Sequence, residues 1–403
     1  MDPKEVAALV SFLVSQIPLL LLTLFPFAHP RPSFSTPFSP SAPQSSLLSL
    51  SLHLLSSASH IAAISPCRPR KRKRYQQDSE PHAAIALRRR DPDHSLLCFR
   101  MKSTTFEWLC GLLDPLLDCR DPAGSSLRLS GPTRLAIALS RLASGAPYPE
   151  LAARFGVPES TARFCTKHLC RVLCTNFRFW ITFPSASELA SVSAGFQAAG
   201  GGLPDCCGAL ACTRFEAFGG SAIAAQIVAD SSSRITHFVA GLRGDHTNFM
   251  VLKSSSLYKD VQEGKLLGAT QYLVADGCYP LLPWLMVPFC DPAHGSSDEN
   301  FNARHRSMRQ PAIRVVQSMK NWGALSSLAE EENAKMAVAC IGTCAILHNV
   351  LLMRDDFSTL SDIDDKWHTD LEHSGKDPGL EDFAIESRAS TLRSMLALRA
   401  RAA

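Results

Sequence analysis

The run Tyr272-Leu-Val-Ala-Asp276-Gly-Cys-Tyr-Pro-Leu-Leu-Pro-Trp284 decides the fold. Its apolar start ending in a carboxylate, with Gly277 directly behind, reads as a short buried strand that carries Asp276 at its end. A strand buried on both faces needs partners, and the sequence before it supplies them. Cys207–Phe215 is short and apolar. Ala222–Ala229 and Ile235–Ala240 are two more such runs, joined by Asp230-Ser-Ser-Ser-Arg234, a turn that makes them an antiparallel hairpin. A helical stretch, Phe249–Tyr258, separates these three strands from Tyr272–Asp276. Helices follow around Pro311–Trp322 and from Glu330 to Arg354.

Three strands, a helix, a strand and then helices is the order of an RNase H-like domain. The predicted class is therefore α/β, with a mixed sheet flanked by helices over residues 203–354. In that architecture a carboxylate on the first strand lies beside one at the end of the fourth, and a later helix supplies a third. Together they hold two divalent cations roughly 4 Å apart, which activate water and stabilise the leaving oxygen of a phosphodiester.

Gly200-Gly201-Gly202 reads as a linker, and residues 96–195 before it are helical in pattern. Phe106, Leu109, Leu112, Leu113, Leu116 and Leu117 recur at three-and-four spacing, as do Leu135, Ile137, Leu139 and Leu142. A short helix with Leu151, Ala152 and Phe155 is stopped by Gly156, and a second starts near Pro158, Glu159 and Ser160. Helix, glycine turn and helix form a helix-turn-helix-like unit whose second helix offers Ser160, Thr161, Arg163 and Lys167 to DNA. A plain helical hairpin packed on the next domain is an equal reading.

Residues 1–95 form a low-complexity arm rich in Ser, Pro and Leu. Val6 to Phe27 is almost uncharged and long enough to cross a bilayer, but Pro18 interrupts it and its front is mixed in charge. It is read as a partner-binding or poorly ordered apolar arm, and no membrane partner is expected. Arg68, Arg70, Lys71, Arg72, Lys73 and Arg74 place six cations in seven residues. They repel one another and stay solvated, as in a nuclear localisation signal or a phosphate-binding arm. Residues 355–403 are an acidic, flexible tail followed by a terminal stretch, Phe383–Arg401, with the spacing of a partner-binding helix.

Over all 403 residues the net charge is +4, with 46 % hydrophobic and 19 % charged residues, which excludes wholesale disorder. Fourteen cysteines without a Cys-x-x-Cys pair read as buried thiols of a reducing compartment. No phosphate loop, dinucleotide fingerprint or Gly-x-Ser-x-Gly elbow appears. His348-Asn349 reads as a buried packing and hydrogen-bonding pair.

Five words give the chain a family likeness: Leu142-Ala-Ser-Gly-Ala-Pro-Tyr148, Cys206-Cys-Gly-Ala-Leu210, Ala275–Trp284, Phe301-Asn-Ala-Arg-His305 and Ala345-Ile-Leu-His-Asn349. Between Phe99 and Arg354 the sequence resembles the PIF/Harbinger transposase-derived nuclease family of DDE type. Its likeness is strongest to the plant branch named for antagonism of like heterochromatin protein. The resemblance implies three acids holding Mg²⁺ or Mn²⁺. The first family acid falls on Ala211, in Leu210-Ala-Cys-Thr213. The second falls on Asp276, and the third on Ile313, in Ile313-Arg-Val-Val-Gln-Ser-Met-Lys320. A family His-Asp pair becomes Thr247-Asn248. Ala211 and Ile313 offer no oxygen, so Asp276 is read as a remnant, and productive metal binding is not expected. Rescue would need Glu216, Asp230, Asp245, Asp298 or Glu299. The reading is a nuclear, domesticated transposase-derived protein without nuclease activity. The resemblance further implies DNA, Myb-like or chromatin-regulatory partners, including opposition to Polycomb-type silencing. The alternative is an active divalent-metal-dependent endonuclease.

Overall fold

The computed structural model describes residues 92–117, 129–200, 203–217, 220–331, 333–360 and 383–402. The apolar stretch 6–27 and the basic cluster 68–74 lie outside the described residues. Seven helices come first: α1 (Pro92–Phe99), α2 (Ser103–Leu117), α3 (Gly131–Ser144), α4 (Tyr148–Phe155), α5 (Glu159–Thr175), α6 (Phe177–Trp180) and α7 (Leu189–Gly200). The chain then forms β1 (Cys206–Glu216), β2 (Ala222–Ala229), β3 (Ile235–Arg243), α8 (Asn248–Lys253), α9 (Ser256–Gln262), β4 (Tyr272–Val274), β5 (Leu285–Met286), α10 (Ser297–Lys320), α11 (Ala334–Met353) and α12 (Phe383–Ala402).

The five strands make one mixed sheet in the order β3-β2-β1-β4-β5. The pairs β1–β2 and β2–β3 are antiparallel, whereas β1–β4 and β4–β5 are parallel. Side chains alternate between the two faces, as the pleat requires. Ala209, Ala211, Phe215, Ile227 and Val274 face a core shared with α10, α11 and the preceding helices. Leu210, Cys212, Val228 and Leu273 face Leu252, Leu257 and Val261 of α8 and α9.

Two helices differ from the sequence reading. The stretch Phe249–Tyr258 is broken into α8 and α9, because Thr247 and Ser255 each accept a backbone N–H with their side-chain oxygen and start a separate helix. The helix expected around Pro311 begins at Ser297, with Ser296 as its cap and Asp298 and Glu299 in its first turn. Pro311 lies inside it. The buried row Phe301, His305, Met308, Ala312, Val315 and Met319 outweighs the lost backbone bond.

The tail also departs from expectation. Asp356 is buried, and its Oδ2 accepts from Lys102 N (2.7 Å) and Thr105 Oγ1 (2.7 Å) at the start of α2. Residues 355–360 are thus tied to the helical part, while 361–382 lie outside the described residues. The terminal helix α12 docks in cis: Leu396, Ala397 and Ala400 are buried, and the Arg393 guanidinium lies 4.1 Å over the Phe289 ring. Arg393 also donates to the carbonyls of Val287 and Pro288.

One hydrophobic cluster runs from Phe99 through the sheet to Ala400, and polar ties stitch it. The Asn349 amide accepts from Ile235 N (2.8 Å) and donates to Ile235 O (2.8 Å) and Trp180 O (3.1 Å). His348 bridges Ser233 O and Ser318 Oγ, each at 2.8 Å, and burial lowers its pKa to about 4. Both residues pack and hydrogen-bond. Cys170, Cys340 and Cys344 are buried free thiols where α5 meets α11, with burial holding Cys344 in its neutral form. Gly145 closes α3 in the left-handed conformation, and a Cβ there would lie 2.4 Å from Gly323 O. Beside it, fully buried Arg141 donates to Glu331 Oε1 (2.8 Å), and Tyr148 Oη lies 3.2 Å from Glu331 Oε2.

Glu331→Ala strands a buried guanidinium, so it should cost about 3–5 kcal/mol in urea unfolding. Replacing Arg141 and Glu331 together by Met and Leu should recover most of that loss.

Candidate functional site

β4 ends at Val274, and two residues later Asp276 sits at the rim of the sheet. Its backbone turns there, with Oδ1 accepting from Cys278 N at 3.0 Å. Ala209 pairs with Val274 in the parallel register, so the same register carries Ala211 to the level of Asp276. On α10, Arg309 and Ile313 are one turn apart. Arg309 Nη2 stands 3.7 Å from Asp276 Oδ2, an oxygen without a hydrogen-bond partner. The Asn248 side chain, from the N-terminus of α8, lies close enough to help lower the pKa of the same carboxyl group.

Asp276 is 1 % exposed, and this burial raises its pKa above the usual carboxylate value, opposed chiefly by Arg309. Arg309 is itself only 9 % exposed. The charge facing this carboxylate is therefore a side chain of the chain itself. Cys278, Cys212 and Tyr279 also border the carboxyl group, while Ala211 (4 % exposed) and Ile313 (3 %) are buried and bring no oxygen.

The candidate substitute ligands lie elsewhere or are engaged. Glu216 is exposed at the far end of β1. Asp230 accepts from the backbone of Ser232 and Arg234 in the hairpin turn. Asp245 pairs with Arg243, and Glu299 accepts from Gly295 N at the start of α10. Asp298 and Glu299 precede Arg309 by two to three turns, on the order of 15 Å along the axis. Thr247 caps α8 with its hydroxyl. Among the described residues no group of three or more His, Cys, Asp or Glu is placed to hold a metal ion. One carboxylate, one carboxamide and one guanidinium do not fit a pair of divalent cations, each of which takes about six oxygens.

Arg309 was not picked out by sequence reasoning. Its signal was a cation one helical turn before Ile313, and only the helix face makes that meaningful. Next to it, His305 is buried with Nε2 3.1 Å from Met286 O. Burial and Arg309 lower its pKa to about 3, so the ring is neutral and ties α10 to β5. Asn302 brackets Phe289, accepting from its N–H (2.8 Å) and donating to its carbonyl (2.9 Å).

In the helical part, Gly156 is left-handed between α4 and α5, as the helix–turn–helix pattern requires. Thr161 does not face outward. It is fully buried, because the first turn of α5 packs it into the interior, and it is withdrawn from the DNA-facing set. Ser160 and Lys167 are exposed. Arg163 is half-buried, paired with Glu159 and stacked 4.3 Å over the Tyr148 ring.

Residues 217–349 match the family described as DDE superfamily endonuclease. The match begins just after β1, the strand that carries Ala211. The chain is similar to the protein "Antagonist of like heterochromatin protein 1" of Arabidopsis thaliana, 28 % identical over 289 residues, covering 64 % of this chain and 73 % of that protein. It is also similar to "Protein ALP1-like" of the same plant, 26 % identical over 304 residues, covering 68 % of this chain and 73 % of that protein. No solved structure matches the chain significantly.

A raised folded-state pKa means that Asp276 favours folding most below the ordinary carboxylate value. That contribution is lost as pH rises through the raised value. Removing Arg309 extends the loss upward. Arg309→Met should therefore cost about 3 kcal/mol in urea unfolding near neutral pH and much less near pH 4, and adding Asp276→Asn should abolish the pH dependence of that difference.

Proposed function

We propose, from the premise that the chain belongs to the Harbinger-derived DDE nuclease family in its plant branch, that it is a domesticated nuclear protein without endonuclease activity. It acts as an interaction protein on DNA or chromatin. The observation that carries this reading is the exchange of donors around Asp276: Ala211 and Ile313 bring no oxygen, and Arg309 holds a fixed positive charge 3.7 Å from the surviving carboxylate. A guanidinium never deprotonates at physiological pH and, unlike a divalent cation, does not coordinate and acidify a water. The sheet flanked by helices, with Asp276 at the end of β4, supports an RNase H-like core retained as a rigid scaffold.

The cations of 68–74 support entry into the nucleus. The helix pair α4–α5 supports contact with DNA through Ser160, Arg163 and Lys167, with recognition shared with a Myb-like or chromatin-regulatory partner. The name of the Arabidopsis relative, an antagonist of like heterochromatin protein, supports opposition to chromatin silencing, and the family resemblance extends this to Polycomb-type silencing.

Purified full chain incubated with supercoiled plasmid and Mn²⁺ or Mg²⁺ tests the central part. It should leave the plasmid no more nicked than its Asp276→Asn variant does. Nicking that Asp276→Asn abolishes would establish the rival, a divalent-metal-dependent endonuclease. On duplex DNA, Arg163→Ala with Lys167→Ala should weaken binding and flatten its salt dependence by about two units of slope.

A further inference from the structure

We infer that the groove between α2, α6 and the C-terminal end of α11 docks an acidic amphipathic helix of a partner protein. The groove has a volume of about 400 Å³, and Trp108, Leu112, Phe179, Trp180 and Met353 form its walls. Trp108 and Leu112 are one turn apart on α2, and Leu116, a further turn on, is also exposed. Phe179 is 77 % exposed and Met353 57 %. A single exposed apolar residue is ordinary. Aromatic and methionine side chains gathered around one groove have instead the composition of an interface core.

The surface is held in place by the fold. Phe179 sits edge-on against buried Trp180, with ring centroids 4.9 Å apart. The carbonyl of Trp180 is fixed by the Asn349 amide. An occupant therefore meets a preformed wall, and little ordering entropy opposes its binding.

Charge selects the kind of occupant. Among the described residues Arg234 is the one charged side chain lining the groove, and the Arg354 guanidinium lies 5.3 Å over the Trp108 ring that forms its wall. No carboxylate among the described residues lines it; nearby Asp230 is turned into its own hairpin, and Glu188, which interacts electrostatically with Arg234, accepts from Ser185 N and Oγ. A row at Trp108, Leu112 and Leu116 matches the ridge of a second helix. The complementary ligand is a helix with aliphatic residues at i, i+4 and i+7 and carboxylates beside them. The groove shares no residue with the Asp276 centre, so this inference stands whether or not that centre cleaves DNA.

The test uses full-length protein and two labelled synthetic helices, each with Leu at i, i+4 and i+7. One carries Glu and the other Lys at the flanking positions, and binding is read by fluorescence anisotropy. The Glu peptide should bind at least about tenfold more tightly than the Lys peptide, since electrostatic complementarity discriminates partners. Leu112→Asp and Phe179→Asp should each weaken it by about tenfold or more while leaving the unfolding midpoint unchanged. Arg234→Gln should remove most of the preference for Glu. Equal binding of the two peptides, or binding indifferent to Leu112→Asp, would overturn the inference. So would a dimer of the chain alone, seen by sedimentation and dissolved by Phe179→Asp, because it would assign the groove to a second copy.

Discussion

A carboxylate taken out of water must be met by a cation, by hydrogen bonds or by a proton. Asp276 lies at the rim of the sheet with 1 % of its surface exposed, and the chain meets it with Arg309. In a two-metal centre, several carboxylates balance exchangeable ions. Here one carboxylate faces one guanidinium, and buried Ala211 and Ile313 bring no oxygen. Arg309 offsets part of the cost of burying that charge with a cation of the chain's own. That pairing ties α10 to the end of β4 at the rim of the mixed sheet.

The words on which the family resemblance rests are mostly words of packing. In Leu142–Tyr148, Gly145 lets one backbone approach another, and Tyr148 joins the buried Arg141–Glu331 pair. In Phe301–His305, Asn302 completes the hydrogen bonds of Phe289, and neutral His305 ties α10 to β5. In Ala345–Asn349, the asparagine amide does for Ile235 what a neighbouring strand would do.

The first four strands were legible because their apolar runs are short and bounded by turn residues, and the hairpin at Asp230–Arg234 is written in local chemistry; the two-residue β5 was too short to read. Asp276 was legible for the same reason. The α4–α5 turn could be read from Gly156 alone. The full length of α10 could not, because Pro311 signals a start in local terms and only the buried row on both sides of it shows the helix running through. Thr161 looked available on a helix start, yet which face of α5 turns inward is set by tertiary packing. Arg309 was hidden because it meets Asp276 from a helix 33 residues further along the chain. The docking of α12 and the anchoring of Asp356 on α2 are likewise long-range contacts that composition and periodicity do not encode.

Diffraction from crystals of the full chain soaked in Mn²⁺, collected where manganese scatters anomalously, bears most directly on the claim that Arg309 has taken the place of the metal charge. The account predicts the Arg309 guanidinium beside Asp276 and no anomalous peak within coordination distance of that carboxylate. Two anomalous peaks roughly 4 Å apart, with Arg309 displaced from Asp276, would contradict it.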